Sequence, residues 1–213
     1  MAKAVVLDVD GTLMDTNYLH VEAWARAMEA VGKRAVRAEL HRQIGKGSDK
    51  LIPEFVEDED AINKVDELHG EIYAELQPRG HPLPGAKELI ASLAERGYQV
   101  WLVTSAKPEE LEQYKEQLET EGKLFGIVNS SDVDNSKPAP DIFELALEKA
   151  GVSAEETVAV GDAVWDVKAA REAGIRTVAV LTGGTFDEEE LREAGAVEVY
   201  ENCAALLDSE FPE

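Results

Sequence analysis

Asp8 and Asp10 stand one residue apart, where the apolar run Ala4-Val5-Val6-Leu7 gives way to Gly11-Thr12. A strand buried on both faces has such an apolar run, and its carboxyl end is where open α/β sheets place their sites. Side chains two apart along a strand share a face. Two carboxylates so placed can divide the work of a displacement reaction. One attacks as a nucleophile, the other carries a proton, and both can sit beside one divalent metal. Gly11 lets the backbone turn away after the strand. Asp and Gly are also ordinary turn residues, so a plain strand-end turn is the alternative.

Three further strand ends carry polar groups. Val100-Trp101-Leu102-Val103 runs into Thr104-Ser105-Ala106, where a hydroxyl with free backbone N–H groups can hold a phosphate oxygen or simply close a turn. Ser136-Lys137-Pro138-Ala139-Pro140-Asp141 sets a lysine immediately before a helix. A cation at that end opposes the helix dipole, which favours a ligand role over that of an exposed loop lysine. Val158-Ala159-Val160 runs into Gly161-Asp162, and Asp166 follows four residues later on the same side of a helix. A helix cap with a first-turn charge explains Asp162 alone, but not polar groups on several distant strand ends. If Asp8, Asp10, Asp162 and Asp166 converge, they repel one another and raise each other's pKa. A divalent cation relieves this. An all-oxygen donor set without a Cys/His cluster selects Mg²⁺ rather than zinc. Mg²⁺ and Lys137 then make the pocket attractive to phosphate, and phosphoryl transfer through an aspartyl phosphate fits these groups.

The elements that must position them are legible in the apolar pattern. Strand-like runs lie at 4–7, 99–103, 126–128, 157–160, 177–181 and, weakly, 196–200. Helical patterns at 84–96, 108–119, 138–151, 163–173 and 187–194 lie between them, several opened by proline and closed by glycine. The alternation predicts a parallel sheet flanked by helices. One region departs from it. From Thr16 to Gly80 the patterns are helical only, at 18–31, 35–44, 48–55 and 60–76, with 81–84 as the return linker. The expected organisation is a core of 1–15 and 81–213 and a helical insert of 16–80. The run 57–60 reads as a solvated loop.

Composition narrows the function class. The 213 residues and 44% hydrophobic content support one core with a modest insert. A net charge of −23 argues against nucleic acid and anionic membranes as partners. No apolar run approaches the roughly 18 residues of a membrane span, and the amino terminus does not resemble a signal peptide. The expectation is a cytoplasmic protein. Cys203, the single cysteine, forms no internal disulfide and reads as structural or incidental, away from every motif.

These four motifs, in order, resemble those of the haloacid dehalogenase (HAD) superfamily of phosphohydrolases: DVDGT at 8–12, Thr104-Ser105, Lys137 in SKPAPD, and GDAVWD at 161–166. The helical insert is similar to the cap of the phosphoglycolate phosphatase and β-phosphoglucomutase branch. The resemblance implies a Rossmann-like parallel core with an inserted α-helical cap. It makes Asp8 the nucleophile and a Mg²⁺ ligand, and Asp10 the general acid/base with its backbone carbonyl on the metal. It has Thr104, Ser105, Gly11 and Lys137 around the phosphoryl group, Asp162 on the metal, and Asp166 supporting the metal or orienting Lys137. The dehalogenase and phosphonatase branches lack an acid matching Asp10. Ser105 departs from the Asn common in phosphoglycolate-type members, which weakens that specificity. In the insert, His20, Arg42, Gly45 and Lys46 are candidates for substrate contact. The loop of Gly45 and Lys46 and the helix of His20 each have a purely structural alternative, and Trp24 reads as core. The implied function is Mg²⁺-dependent hydrolysis of a small phosphorylated metabolite by a monomer or homodimer. The alternatives are a sugar phosphomutase, then a dehalogenase or a catalytically silent binding protein.

Overall fold

The computed structural model describes residues 2–209, 211 and 212. Six strands, β1 (Ala4–Leu7), β2 (Gln99–Thr104), β3 (Gly126–Asn129), β4 (Thr157–Gly161), β5 (Arg176–Val180) and β6 (Glu198–Tyr200), form one parallel sheet in the order β3-β2-β1-β4-β5-β6. The chain winds outward from β1 to β3, then returns to the other side of β1 for β4 to β6. The switch point therefore lies between β1 and β4, and their carboxyl ends open the crevice where such sheets bind ligands.

The apolar runs are continuous because both faces are covered. Val5, Leu7, Val100, Leu102, Val158 and Val160 pack on one side, with α5 (Ala86–Glu95), α6 (Pro108–Gln117) and α10 (Cys203–Leu207). The alternate residues Val6, Trp101, Val103 and Ala159 pack on the other, with α7 (Asp141–Ala150) and α8 (Val164–Glu172). This period-two division between two helical layers is the strand signature. Beyond them, α9 (Glu188–Ala194) closes a smaller cluster around Ala179 and Leu191.

Between β1 and α5 lie α1 (Asn17–Ala30), α2 (Arg37–His41), α3 (Ser48–Leu51) and α4 (Glu59–Leu76). Val21, Trp24, Met28, Leu40, Leu51, Ile52 and Val65 bury an apolar cluster of their own. The helix expected over 48–55 breaks at Ile52–Glu54, a 3-10 turn containing Pro53, which lacks the N–H an α-helix would use. The run 57–60 is not a free loop. The Asp58 carboxylate accepts the Ala61 N–H at 2.9 Å and caps α4, with Glu59 and Asp60 in its first turn, where the dipole favours them. Likewise α7 starts at Asp141 rather than at 138, and α10, unanticipated, is capped by Asn202.

Candidate active site

Asp8 leaves the sheet one residue beyond β1, and its backbone N–H still donates to the Val160 carbonyl at 2.9 Å. Its carboxylate is buried. Lys137 reaches it from the loop before α7, with Nζ 2.6 Å from Asp8 Oδ1, 2.8 Å from Asp166 Oδ1 and 3.2 Å from the Val103 carbonyl. The lysine is wholly inaccessible; it donates to Asp8 and to the Val103 carbonyl and is ion-paired with Asp166. Burial opposes its charge, but Asp166 and Asp8 outweigh burial and hold its pKa above the ordinary value.

Asp162 follows β4, and Asp166 sits in the first turn of α8, where it also accepts the Ala163 N–H at 3.0 Å. Thr12 Oγ1 lies 3.2 Å from Asp8 Oδ2 and 2.9 Å from Asp162 Oδ1, joining the two motifs. From α1, Asn17 Nδ2 donates to Asp162 Oδ2 at 3.2 Å and to the Gly183 carbonyl at 3.3 Å. Gly11, at φ +80°, is required by this crowding: a Cβ there would lie 2.3 Å from Asn17 Nδ2 and 2.5 Å from Asp162 Oδ2. Its N–H is committed to the Met14 carbonyl at 2.8 Å.

Asp8, Asp162 and Asp166 each offer an oxygen within 4.8 Å of the others, and all three are buried. Burial and then the Asp166 charge push Asp8 up to about 7, against the pull of Lys137. Asp162 is raised well above its ordinary range by burial and by both neighbouring carboxylates. Three carboxylates face one ammonium, so the residues fit a hard divalent cation with oxygen ligands.

The Asp10 carboxylate is not in this cluster. β1 ends at Leu7, so strand alternation does not govern positions 8–10, and Asp10 is held elsewhere. Its Oδ1 is 2.6 Å from Thr16 Oγ1, 3.1 Å from His20 Nε2 and 3.2 Å from the Tyr114 hydroxyl. Burial acts to raise its pKa, but the charge and hydrogen bond of His20, with Thr16 and Tyr114, hold it below the usual carboxylate value. His20 is conversely raised: burial opposes its charge, and Asp10 and Glu110 outweigh that. Behind His20 lies an aromatic stack. His20 lies flat on Tyr73 at 3.8 Å, and its Nδ1 is 3.2 Å from His69 Nε2, which in turn stacks on Trp24 at 3.5 Å. Trp24 is thus buried, as read from the sequence, and also lines the cavity.

Asp8 and Asp10 open into a cavity of ≈470 Å³ between the helical insert and the sheet. Ser105, Gly45, Lys46 and His20 line it, together with Asp66, His69, Lys107 and Glu110, which sequence reasoning did not single out. Lys107 pairs with Asp66 at 2.9 Å, and Lys46 with Glu54 at 3.0 Å while lying over the Trp165 ring. Burial, with Asp10, pushes Glu110 up to about 7 against the pull of His20. Ser105 Oγ donates to the Gly45 carbonyl at 3.1 Å, and Gly45, at φ +98°, comes so close to α8 that a Cβ would sit 3.0 Å from that of Ala163. Thr104 is fully buried, with its hydroxyl oxygen accepting the Ala106 N–H at 3.0 Å. Arg42 lies outside the cavity lining, paired with Glu190 at 2.6 Å. Cys203, distant in sequence, is close in space. Its Sγ contacts the Thr12 carbonyl at 3.5 Å, and burial pushes its thiol up to about 12, which keeps it inert.

A family model described as haloacid dehalogenase-like hydrolase matches residues 2–174. The chain is 31% identical over 203 residues to the phosphorylated carbohydrates phosphatase of Thermotoga maritima, covering 92% of each protein. A hydrolase from Pseudomonas syringae superposes with a TM-score of 0.91 at 32% identity, over 97% of this chain and 96% of that one. CbbY from Rhodobacter sphaeroides, solved in complex with phosphate, superposes with a TM-score of 0.82 at 26% identity, again over 97% and 96%.

Proposed function

The chain belongs to the haloacid dehalogenase-like hydrolases and is a phosphoric monoester hydrolase of that family, and from this premise we propose that it is a Mg²⁺-dependent phosphatase of a small phosphorylated metabolite. One observation carries the reading: a buried carboxylate, Asp8, bound to Lys137 at 2.6 Å, faces the same cavity as a second carboxylate, Asp10, held by its own donors. Asp8, Asp162 and Asp166 would hold the metal, which when bound neutralises converging carboxylate and phosphoryl charge.

In the first half-reaction an Asp8 oxygen forms a bond to phosphorus as the ester P–O bond breaks. The departing alkoxide takes a proton from Asp10. In the second, water attacks phosphorus, yields a proton to Asp10, and releases phosphate from Asp8. Lys137 and Thr12 orient the Asp8 carboxylate for both. The donors that depress the pKa of Asp10 stabilise the carboxylate left by the acid half and leave it ionised, free to accept the proton of the attacking water. The charge of a phosphate dianion nearby raises that pKa for the acid half.

The proposed core is 1–15 and 81–213 and the proposed cap 16–80, a division supported by the separate apolar cluster of α1 to α4. The cavity's two lysines are each paired with a carboxylate, and Asp49, Glu109, Glu110 and Asp134 also line it. This favours an alcohol without a second anion, such as a sugar or polyol, over phosphoglycolate. It also disfavours the mutase reading, which needs a second phosphate site. Among the described residues no helix is long and apolar enough to cross a membrane, and the proposed setting is cytoplasmic, as monomer or homodimer. The test is phosphate release from p-nitrophenyl phosphate, 2-phosphoglycolate and sugar phosphates, with and without Mg²⁺. Mg²⁺-dependent turnover that is absent in Asp8→Asn supports the reading. Equal turnover in Asp8→Asn refutes it.

A further inference from the structure

The geometry points to Tyr114 as a positioning residue for the acid/base Asp10, its hydroxyl donating a hydrogen bond to Asp10 Oδ1 at 3.2 Å and accepting one from the Tyr73 hydroxyl. This rests on the reading of Asp10 as the group that protonates the leaving alcohol. The Tyr114 and Tyr73 side chains are both wholly inaccessible. Tyr114 belongs to α6 of the sheet-flanking layer and Tyr73 to the last turn of α4 in the helical insert, so the two hydroxyls meet where insert and core join.

The direction of the chain follows from chemistry. An ionised carboxylate only accepts, so Tyr114 uses its single O–H to donate a hydrogen bond to Asp10, and its oxygen is left to accept one from Tyr73. Thr16 and His20 also donate to the same oxygen, Oδ1, from the segment after β1 and from α1. Three donors from three elements converge on Oδ1. A proton on Asp10 therefore resides on Oδ2, the oxygen without these donors, and the carboxyl plane is fixed with that proton available to the cavity. In the first half-reaction the Oδ2 proton passes to the alkoxide as the P–O bond breaks, and the three donors stabilise the carboxylate that remains. A donor that strengthens as charge develops on its acceptor accelerates that step. Tyr114 differs from Thr16 and His20 in coming from the core, so it ties the carboxylate to the sheet rather than to the insert.

The experiment compares leaving groups. p-Nitrophenolate departs without help from an acid, whereas a sugar alkoxide must be protonated. kcat/KM includes the step in which the ester bond breaks, so it is measured with Mg²⁺ for p-nitrophenyl phosphate and for glucose 6-phosphate. Tyr114→Phe keeps the ring and removes one oxygen. The expected result is a fall of ~10-fold or more in kcat/KM for the sugar phosphate, as for loss of a hydrogen bond to a charged group, with less than ~3-fold for p-nitrophenyl phosphate. Equal losses on the two substrates, or none, overturn the proposal. Should Tyr114→Phe fail to fold because the Tyr73 hydroxyl is stranded, the double variant Tyr73→Phe with Tyr114→Phe removes both hydroxyls and is read in the same way. Asp10→Asn separates the two levels of inference. If it shows no leaving-group dependence, the acid role of Asp10 fails. If it does and the tyrosine variants do not, only the role of Tyr114 fails.

Discussion

Replacing Lys137 by Met tests the electrostatic logic of the site most directly. The side chain keeps its length and loses its charge. In the native protein Nζ is wholly inaccessible and lies within 3.2 Å of Asp8, Asp166 and the Val103 carbonyl. Removing one partner of a buried ion pair costs ~3–5 kcal/mol, because the abandoned charge has no compensation. At ~2–4 °C per kcal/mol for a protein of this size, the metal-free variant should melt roughly 6–20 °C lower at pH 8. The loss has a defined pH dependence. Lys137 lowers the pKa of Asp8, which nevertheless stands at about 7, so without the lysine Asp8 is raised further. The folded variant then holds a proton that the unfolded chain, with an ordinary carboxylate near 3.8, has released. More protons bound in the folded state means that stability falls as pH rises through this window. Melting curves in chelator at pH 5 and pH 8 should show the larger deficit at pH 8, where Asp8 must ionise beside Asp166. A variant that melts within ~2 °C of the native protein at pH 8 would refute the premise that this lysine compensates the buried carboxylates.

Four further outcomes are expected. Native protein freed of metal should lose stability between about pH 4 and pH 7, because the raised pKa of Asp8 means ionising it in the folded state is unfavourable; a flat Tm over that range in chelator counts against the shift. Mg²⁺ at ~100 times its Kd should restore ~2.7 kcal/mol at pH 8, and less at pH 5, where protons compete; differential scanning calorimetry measures both. Lys46→Ala should change KM for the best sugar phosphate by less than ~5-fold, since its charge is already paired with Glu54; a larger rise makes Lys46 a direct substrate contact. Arg42→Ala should cost at most ~1 kcal/mol and leave kcat unchanged, since Arg42 forms a half-exposed ion pair outside the cavity lining; chemical denaturation and steady-state kinetics check the two halves.

Which of these groups could be read from the chain depends on how each is held. Asp8 and Asp162 are buried charges just beyond β1 and β4, where a polar residue interrupts an apolar run, Asp166 follows one helical turn later, and Lys137 stands out instead as a cation at the wrong end of a helix; each contrast survives in one dimension. The strands survive for a related reason: burial on both faces leaves the interiors of β1, β2 and β4 wholly apolar, with Gln99, Thr104 and Thr157 only at strand ends. Tyr114, Tyr73 and His69 carry no such contrast. Each sits at an inward position of an amphipathic helix, where an aromatic side chain satisfies the apolar periodicity whether or not its polar tip finds Asp10 or His20. Asp10 shows the other limit. Alternation assigns it to the face of Asp8, but the strand has ended, and the direction of its carboxylate is decided by Thr16, His20 and Tyr114, the last 104 residues away. The bare charge pattern of this site is thus local and legible. Of the donors that fix the direction of the Asp10 carboxylate, Thr16 and His20 lie six and ten residues away, whereas Tyr114 is long-range, and only the packing of insert on core brings all three together.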